Sequence, residues 1–188
     1  IPSIWSGRSA KLGWGVTTAY VDDQDVVVEQ LNPENSEEYL TPTGFKKFQT
    51  RPTIIKIKGE APVTLTLRWS DNGPVLPGSF QNLRTVTPPG HVAALSSTAL
   101  SPKDTTLSAS IRLMHSTTVK DAIFAGSLHM APAQNLIVAD QTKIAMKTIG
   151  TIPRRRTDHQ SQGRMPSLGS NPRNLWDGMM PYASNPEF

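Results

Sequence analysis

Three consecutive arginines, Arg154-Arg155-Arg156, offer the most direct chemistry in this chain of 188 residues. A guanidinium presents a fixed fork of donors that matches phosphate or carboxylate, and three on an extended segment can follow a nucleic-acid backbone without reading bases. Lys143, Lys147 and Arg164 are close enough in sequence to extend such a surface. The same run also suits a solvated loop or salt bridges between subunits. A second set of residues follows in the tail. Leu168, Trp176, Tyr182 and Phe188 are apolar anchors among polar spacers, and Pro166, Pro172, Pro181 and Pro186 keep the segment extended. That pattern fits an arm that drops side chains into pockets on a neighbouring subunit, with folding back onto its own body as the alternative.

The remaining reactive groups form no catalytic constellation. His91, His115, His129 and His159 stand far apart, and none has a carboxylate or second histidine at metal-ligand spacing. Asp22, Asp23 and Asp25 are the densest acids, but they lack the glycine and terminal glutamate of an EF-hand loop. They read as a solvated turn, with a hard-cation site as the alternative. Gly13-Trp14-Gly15 lacks the third glycine, lysine and helix of a phosphate cradle, and no Gly-x-Ser-x-Gly is present. The absence of cysteine removes disulfides, thiolate zinc sites and cysteine nucleophiles. The expectation is a non-enzymatic protein with no catalytic residue, metal or cofactor.

The elements that must position these groups are strands. Val63, Leu65, Leu67 and Trp69 alternate with Thr64, Thr66, Arg68 and Ser70, so a strand there separates an apolar face from a polar one. Residues 53–58 form a second strand across the Gly59-Glu60-Ala61-Pro62 loop, and Asp71-Asn72-Gly73-Pro74 is a turn. Similar alternation marks residues 16–20, 107–113, 124–130 and 143–147 as strands, and residues 25–31 and 136–139 are β-branched apolar runs that suit buried ones. Helix is expected only as a turn or two at residues 116–121 and 35–40. Sixteen prolines lie between these elements, and connectors such as residues 74–77 and Pro88-Pro89-Gly90 are long for hairpins. An all-β, antiparallel Greek-key sandwich is the predicted fold. The predicted organisation is an N-terminal arm (1–13), a sandwich domain (14–152) and an extended C-terminal arm (153–188).

Charge is uneven along the chain. The totals are 19 basic and 15 acidic residues, but residues 21–45 carry seven acids and no lysine or arginine, and residues 141–156 carry five bases and no acid. These are either two solvated faces or complementary surfaces that meet between subunits. There is no apolar run long enough for a membrane helix, and Ile1-Pro2-Ser3-Ile4-Trp5 lacks the regions of a signal peptide. A start without methionine fits release from a longer precursor.

In this pattern the chain resembles the single jelly-roll coat proteins of small icosahedral, picornavirus-like RNA viruses. Residues 14–152 carry the resemblance, most closely in the strand pair of residues 53–70 followed by Asp71-Asn72-Gly73. It implies a jelly roll and a structural role: a capsid protein that assembles with its own copies and other coat proteins in the host cytoplasm. The resulting virion would enclose genomic RNA, touched through Arg154, Arg155 and Arg156, with Leu168, Trp176, Tyr182 and Phe188 at subunit interfaces and no membrane partner. Two alternatives belong to other classes. One is a β-sandwich ligand- or carbohydrate-binding module using residues 71–80. The other is an RNA-binding regulatory protein whose affinity depends on salt and on the three arginines.

Overall fold

The computed structural model describes residues 3–188. Ile1 and Pro2, where the expected N-terminal arm begins, lie outside the described residues. The chain is mostly antiparallel β, with 41% strand against 17% helix, as the period-two alternation predicts. It divides into two compact units. One takes the residues up to Asp23 together with Thr98–Arg154 and Trp176–Phe188, and the other takes Gln24–Ser97 and Arg155–Leu175.

The first unit is built on an antiparallel sheet in the order Gly7–Arg8, Gly13–Thr18, Gln134–Ala139, Ile144–Ile149. Val16 lies opposite Leu136 and Trp14 opposite Val138. Directly paired residues share a face, so these four side chains point the same way. The helices Thr106–Met114 and Val119–Gly126 accompany that sheet, and Leu113, Val119, Ala122 and Ala125 join Leu12, Trp14, Leu136, Val138 and Ile149 in one core. Pro153–Arg155 pairs with Trp176–Met179 in a small separate sheet.

Both helices replace strands expected at residues 107–113 and 124–130. In the first, Ala109, Ser110 and Leu113 are buried on one side, a spacing of three to four that overrides the simple alternation. The second begins with a signal the period-two reading passed over. Thr118 Oγ1 accepts from the Asp121 amide while the Asp121 carboxylate accepts from the Thr118 amide, a complete capping box.

The second unit holds a longer antiparallel sheet in the order Gly44–Lys47, Asn35–Thr41, Gln24–Asn32, His91–Ser97, Gly73–Leu76, Val63–Ser70, Gln49–Ile55. Ser167–Leu168 adds a short parallel pairing to Gln24–Asn32. Residues 35–40, where a helical turn was expected, are strand instead, and Tyr39 from that strand stacks on Phe48 at 4.7 Å. The clearest predicted strand appears as Val63–Ser70, although Val63 and Leu65 remain exposed. The predicted turn after it ends at Gly73, whose φ of 126° and packing against the Leu95 carbonyl leave no room for a Cβ.

Candidate functional site

The three arginines do not form a free cationic surface. In the first unit, Arg154 donates from Nε to the Asp177 carbonyl at 2.8 Å and lies 3.6 Å from its carboxylate. In the second, Arg155 makes a two-pronged contact with Asp25, and Arg156 pairs with Asp158 at 3.0 Å. Of the acidic cluster, Asp25 faces Arg155. Among the described residues, no group of three metal-ligating side chains could hold an ion.

The tail anchors also have places within their own units. Leu168 lies in the strand beside Gln24–Asn32, with its side chain about half exposed. Tyr182 donates its hydroxyl proton to the Ile123 carbonyl at 2.7 Å, and its ring lies 5.0 Å from the Lys147 ammonium. Trp176 is half-buried in the Trp176–Met179 strand. Phe188 exchanges backbone hydrogen bonds with Met146, while its side chain is 80% exposed.

The arrangement best suited to a ligand lies in the first unit, where Gly13–Thr18 ends and Gln134–Ala139 begins. Here Trp5, Val16, Pro132 and Gln134 line a hollow of about 310 Å³. Val16 and Gln134 share a sheet face, because Gln134 lies opposite Thr18 and side chains repeat every second residue. Trp5 is brought over that face by the preceding chain, which the Trp14 indole holds through a 2.9 Å hydrogen bond to the Ile4 carbonyl. The Gln134 side chain has no hydrogen-bond partner among the described residues, which leaves one amide beside apolar walls.

His129 contacts two of the residues that line this hollow. Its ring meets Trp5 edge-on at 5.3 Å, and its Nε2 lies 2.7 Å from the Pro132 carbonyl. A carbonyl accepts only, so Nε2 carries the proton and Nδ1 is a bare lone pair. Burial, the largest influence, pushes the pKa of His129 down, and the ring stays neutral. Nδ1 is inaccessible and unpartnered, so His129 positions Trp5 and Pro132 and cannot take a proton from a ligand. Thr106 braces the same turn, accepting through Oγ1 from the amides of Met130 and Ala131. The hollow can therefore bind and orient an apolar group.

The sequence reading did not single out Trp5, Val16, Pro132 or Gln134 as a site. Trp5 and Val16 lie more than a hundred positions from Pro132 and Gln134, and the one available signal was the strand at residues 16–20.

A fold of antiparallel sheets, with an apolar hollow at the end of one, is shared with known proteins. The penicillin amidase family model matches residues 1–188, and the chain belongs to that family. Acyl-homoserine lactone acylase QuiP of Pseudomonas aeruginosa is 27% identical over 184 residues, covering 95% of this chain and 21% of that protein. The QuiP protein of Pseudomonas fluorescens is 28% identical over 192 residues, covering 99% and 23%. A solved structure of thermostable penicillin G acylase from Alcaligenes faecalis shares the fold, with a TM-score of 0.85, 19% identity, and coverage of 100% of this chain and 32% of that one. The chain thus spans about a fifth of the length of these acylase relatives.

Family membership overturns the coat-protein reading, and with it the capsid role, the partner coat proteins, the RNA genome and the virion location. The binding-module and RNA-regulator alternatives fall with it, and the non-enzymatic expectation gives way to a family of amide-cleaving enzymes. The physical reason is that strand periodicity, abundant proline and the absence of cysteine describe an all-β chain, and many unrelated functions share such a chain.

Proposed function

We propose that this chain is part of an N-acyl amide hydrolase and that the hollow at Trp5 receives the acyl group of its substrate. The observation that carries this reading is the penicillin amidase family match along the whole chain. The names of the QuiP relatives point to acyl-homoserine lactones as the first substrates to try. Such a molecule joins an aliphatic acyl chain through an amide to a polar lactone. Trp5, Val16 and Pro132 suit the chain, and the unpartnered Gln134 amide suits the polar group that follows it.

Amide hydrolysis also needs a nucleophile, a base and donors for the developing oxyanion. In this reading they come from the rest of the longer polypeptide, and the described residues supply an acyl-binding wall on a rigid sheet. Each methylene taken from water into such a wall contributes about 0.8 kcal/mol, so chain length should govern substrate preference.

The test uses the full-length protein that contains this chain. Decanoyl-homoserine lactone and penicillin G are incubated separately, and the products are followed by mass spectrometry. The expected result is a carboxylic acid and a free amine from at least one of them. Intact amide in both incubations would end this reading.

A further inference from the structure

A second cleft lies wholly within the unit of Gln24–Ser97 and Arg155–Leu175, and the acyl-binding reading does not use it. Its volume is about 320 Å³, at the small end of the range for ligand sites. Val26, Leu76, Leu83 and Leu95 form an apolar lining, while Phe80 and Met165 also line it and remain 47% and 69% exposed.

Both loops that border the cleft are held in costly backbone conformations. Gln81 and Asn82 on one side have φ of 46° and 58°, and Gln162 on the other has φ of 51°. Non-glycine residues persist in this left-handed region only where their surroundings over-determine them. The second loop shows how. The Gln162 side-chain amide donates to the carbonyls of Arg156, Thr157 and His159, and Ser161 Oγ donates to the Met165 carbonyl. Gly163 packs against the Arg155–Asp25 pair so closely that a Cβ would come within 2.6 Å of Arg155 Nε and Asp25 Oδ1.

This pinned turn carries Arg164 into the cleft lining. Arg154, Arg155, Arg156 and Arg173 all contact aspartates, whereas the Arg164 guanidinium has no hydrogen-bond or ion-pair partner among the described residues. The one acid in the lining, Asp25, has both carboxylate oxygens engaged by Arg155. The cleft therefore combines an apolar floor with a single open cation.

We propose that this cleft binds an aliphatic monocarboxylate, its chain on the apolar lining and its carboxylate on Arg164. The acid released by amide hydrolysis belongs to this class. Its identity as the physiological ligand rests on the function proposed above, while the binding itself rests on the cleft alone.

The experiment is calorimetric titration of the full-length protein with octanoate and with octanol, alongside the hydrolysis assay. Octanoate should bind more tightly than octanol. Arg164→Met should weaken octanoate about tenfold or more, Arg164→Lys should retain most of the affinity, and octanol should respond to neither. Trp5→Ala should leave the Arg164-dependent binding in place, which separates this cleft from the acyl hollow. Absent octanoate binding, or affinity indifferent to Arg164→Met, overturns the proposal. A protein that binds octanoate through Arg164 yet cleaves no amide supports the cleft and refutes the hydrolase reading separately.

Discussion

Arg155 and Asp25, 130 positions apart in sequence, form a buried ion pair in which guanidinium Nε and a terminal nitrogen meet the two carboxylate oxygens at 3.0 and 2.8 Å. Their side chains are only 10% and 7% exposed. The pair joins residues 155–163 to the first residues of the Gln24–Asn32 strand, and it fixes the turn that carries Arg164. Its main effect is to specify where that turn sits, since desolvating both charges offsets much of their attraction.

Removing one partner should be far costlier than the pair is worth. Arg155→Ala takes the guanidinium away from the buried Asp25 carboxylate, and is expected to cost about 3–5 kcal/mol. Arg155→Lys should recover only part of this, because an ammonium cannot reproduce the two-pronged fork. Urea denaturation of both variants checks the order, and an unchanged midpoint for Arg155→Ala would refute it.

Glu29 sets a pH dependence. It is fully buried, accepts a hydrogen bond from the Asn72 side-chain amide at 2.9 Å, and keeps one oxygen without a partner. Burial raises its pKa above the ordinary 4.5; the Ser70 and Asn72 side chains oppose this, and the charge of Asp71 adds to it. Stability from the neutral acid is therefore complete below 4.5 and drains away as pH rises through the folded-state pKa, with a limiting slope of about 1.4 kcal/mol per pH unit. Glu29→Gln should flatten this part of the stability curve. Unfolding free energies measured across that pH window decide it, and the same slope in both proteins would count against the assignment.

Lys147 should hold the chain end in place. Its ammonium is buried, donates to the Asn185 carbonyl at 2.8 Å and lies 3.1 Å from the Glu187 carboxylate. Lys147→Ala strands a buried carbonyl, for an expected loss of about 1–3 kcal/mol. Hydrogen exchange at the Phe188 amide, which bonds to the Met146 carbonyl, should accelerate in the variant. Unaltered exchange there would remove Lys147 from this role.

Trp5→Ala should change substrate preference if the hollow receives the acyl chain. Widening it should shift the ratio of kcat/KM for dodecanoyl over butanoyl substrates by roughly 10–200-fold toward the longer chain. Rates on a series of N-acyl homoserine lactones read this out. A uniform fall across the series would indicate that Trp5 supports the fold and does not select the chain.

How far the sequence could be read depended on whether information was local. Val63 to Trp69 alternate without interruption, and that strand appears with the predicted bounds. Residues 107–113 alternate too, yet they form a helix, because Ala109, Ser110 and Leu113 can also bury one helical face, and the core of the first unit takes that solution. The capping box at Thr118 and Asp121 was legible and outweighed the apparent strand that followed. The two clefts were not legible, since Trp5 comes to line one with Pro132 and Gln134, and Arg164 the other with Leu76 and Leu95, only after the sheets have formed. The arginine run had the right chemistry and the wrong partner: a guanidinium fork fits carboxylate as well as phosphate, and Asp25, Asp158 and Asp177 were the groups within reach.

The amino-acid sequence by itself determined the antiparallel β character, the turn at Gly73 and the absence of thiol chemistry, because side-chain alternation and backbone freedom are properties of neighbouring residues. Tertiary structure alone decided that Arg155 would be buried against Asp25, that Tyr182 would bond to Ile123, and that Arg164 would stay open. Each of those outcomes depends on which distant group the folded sheets bring within about 3 Å, the reach of a hydrogen bond.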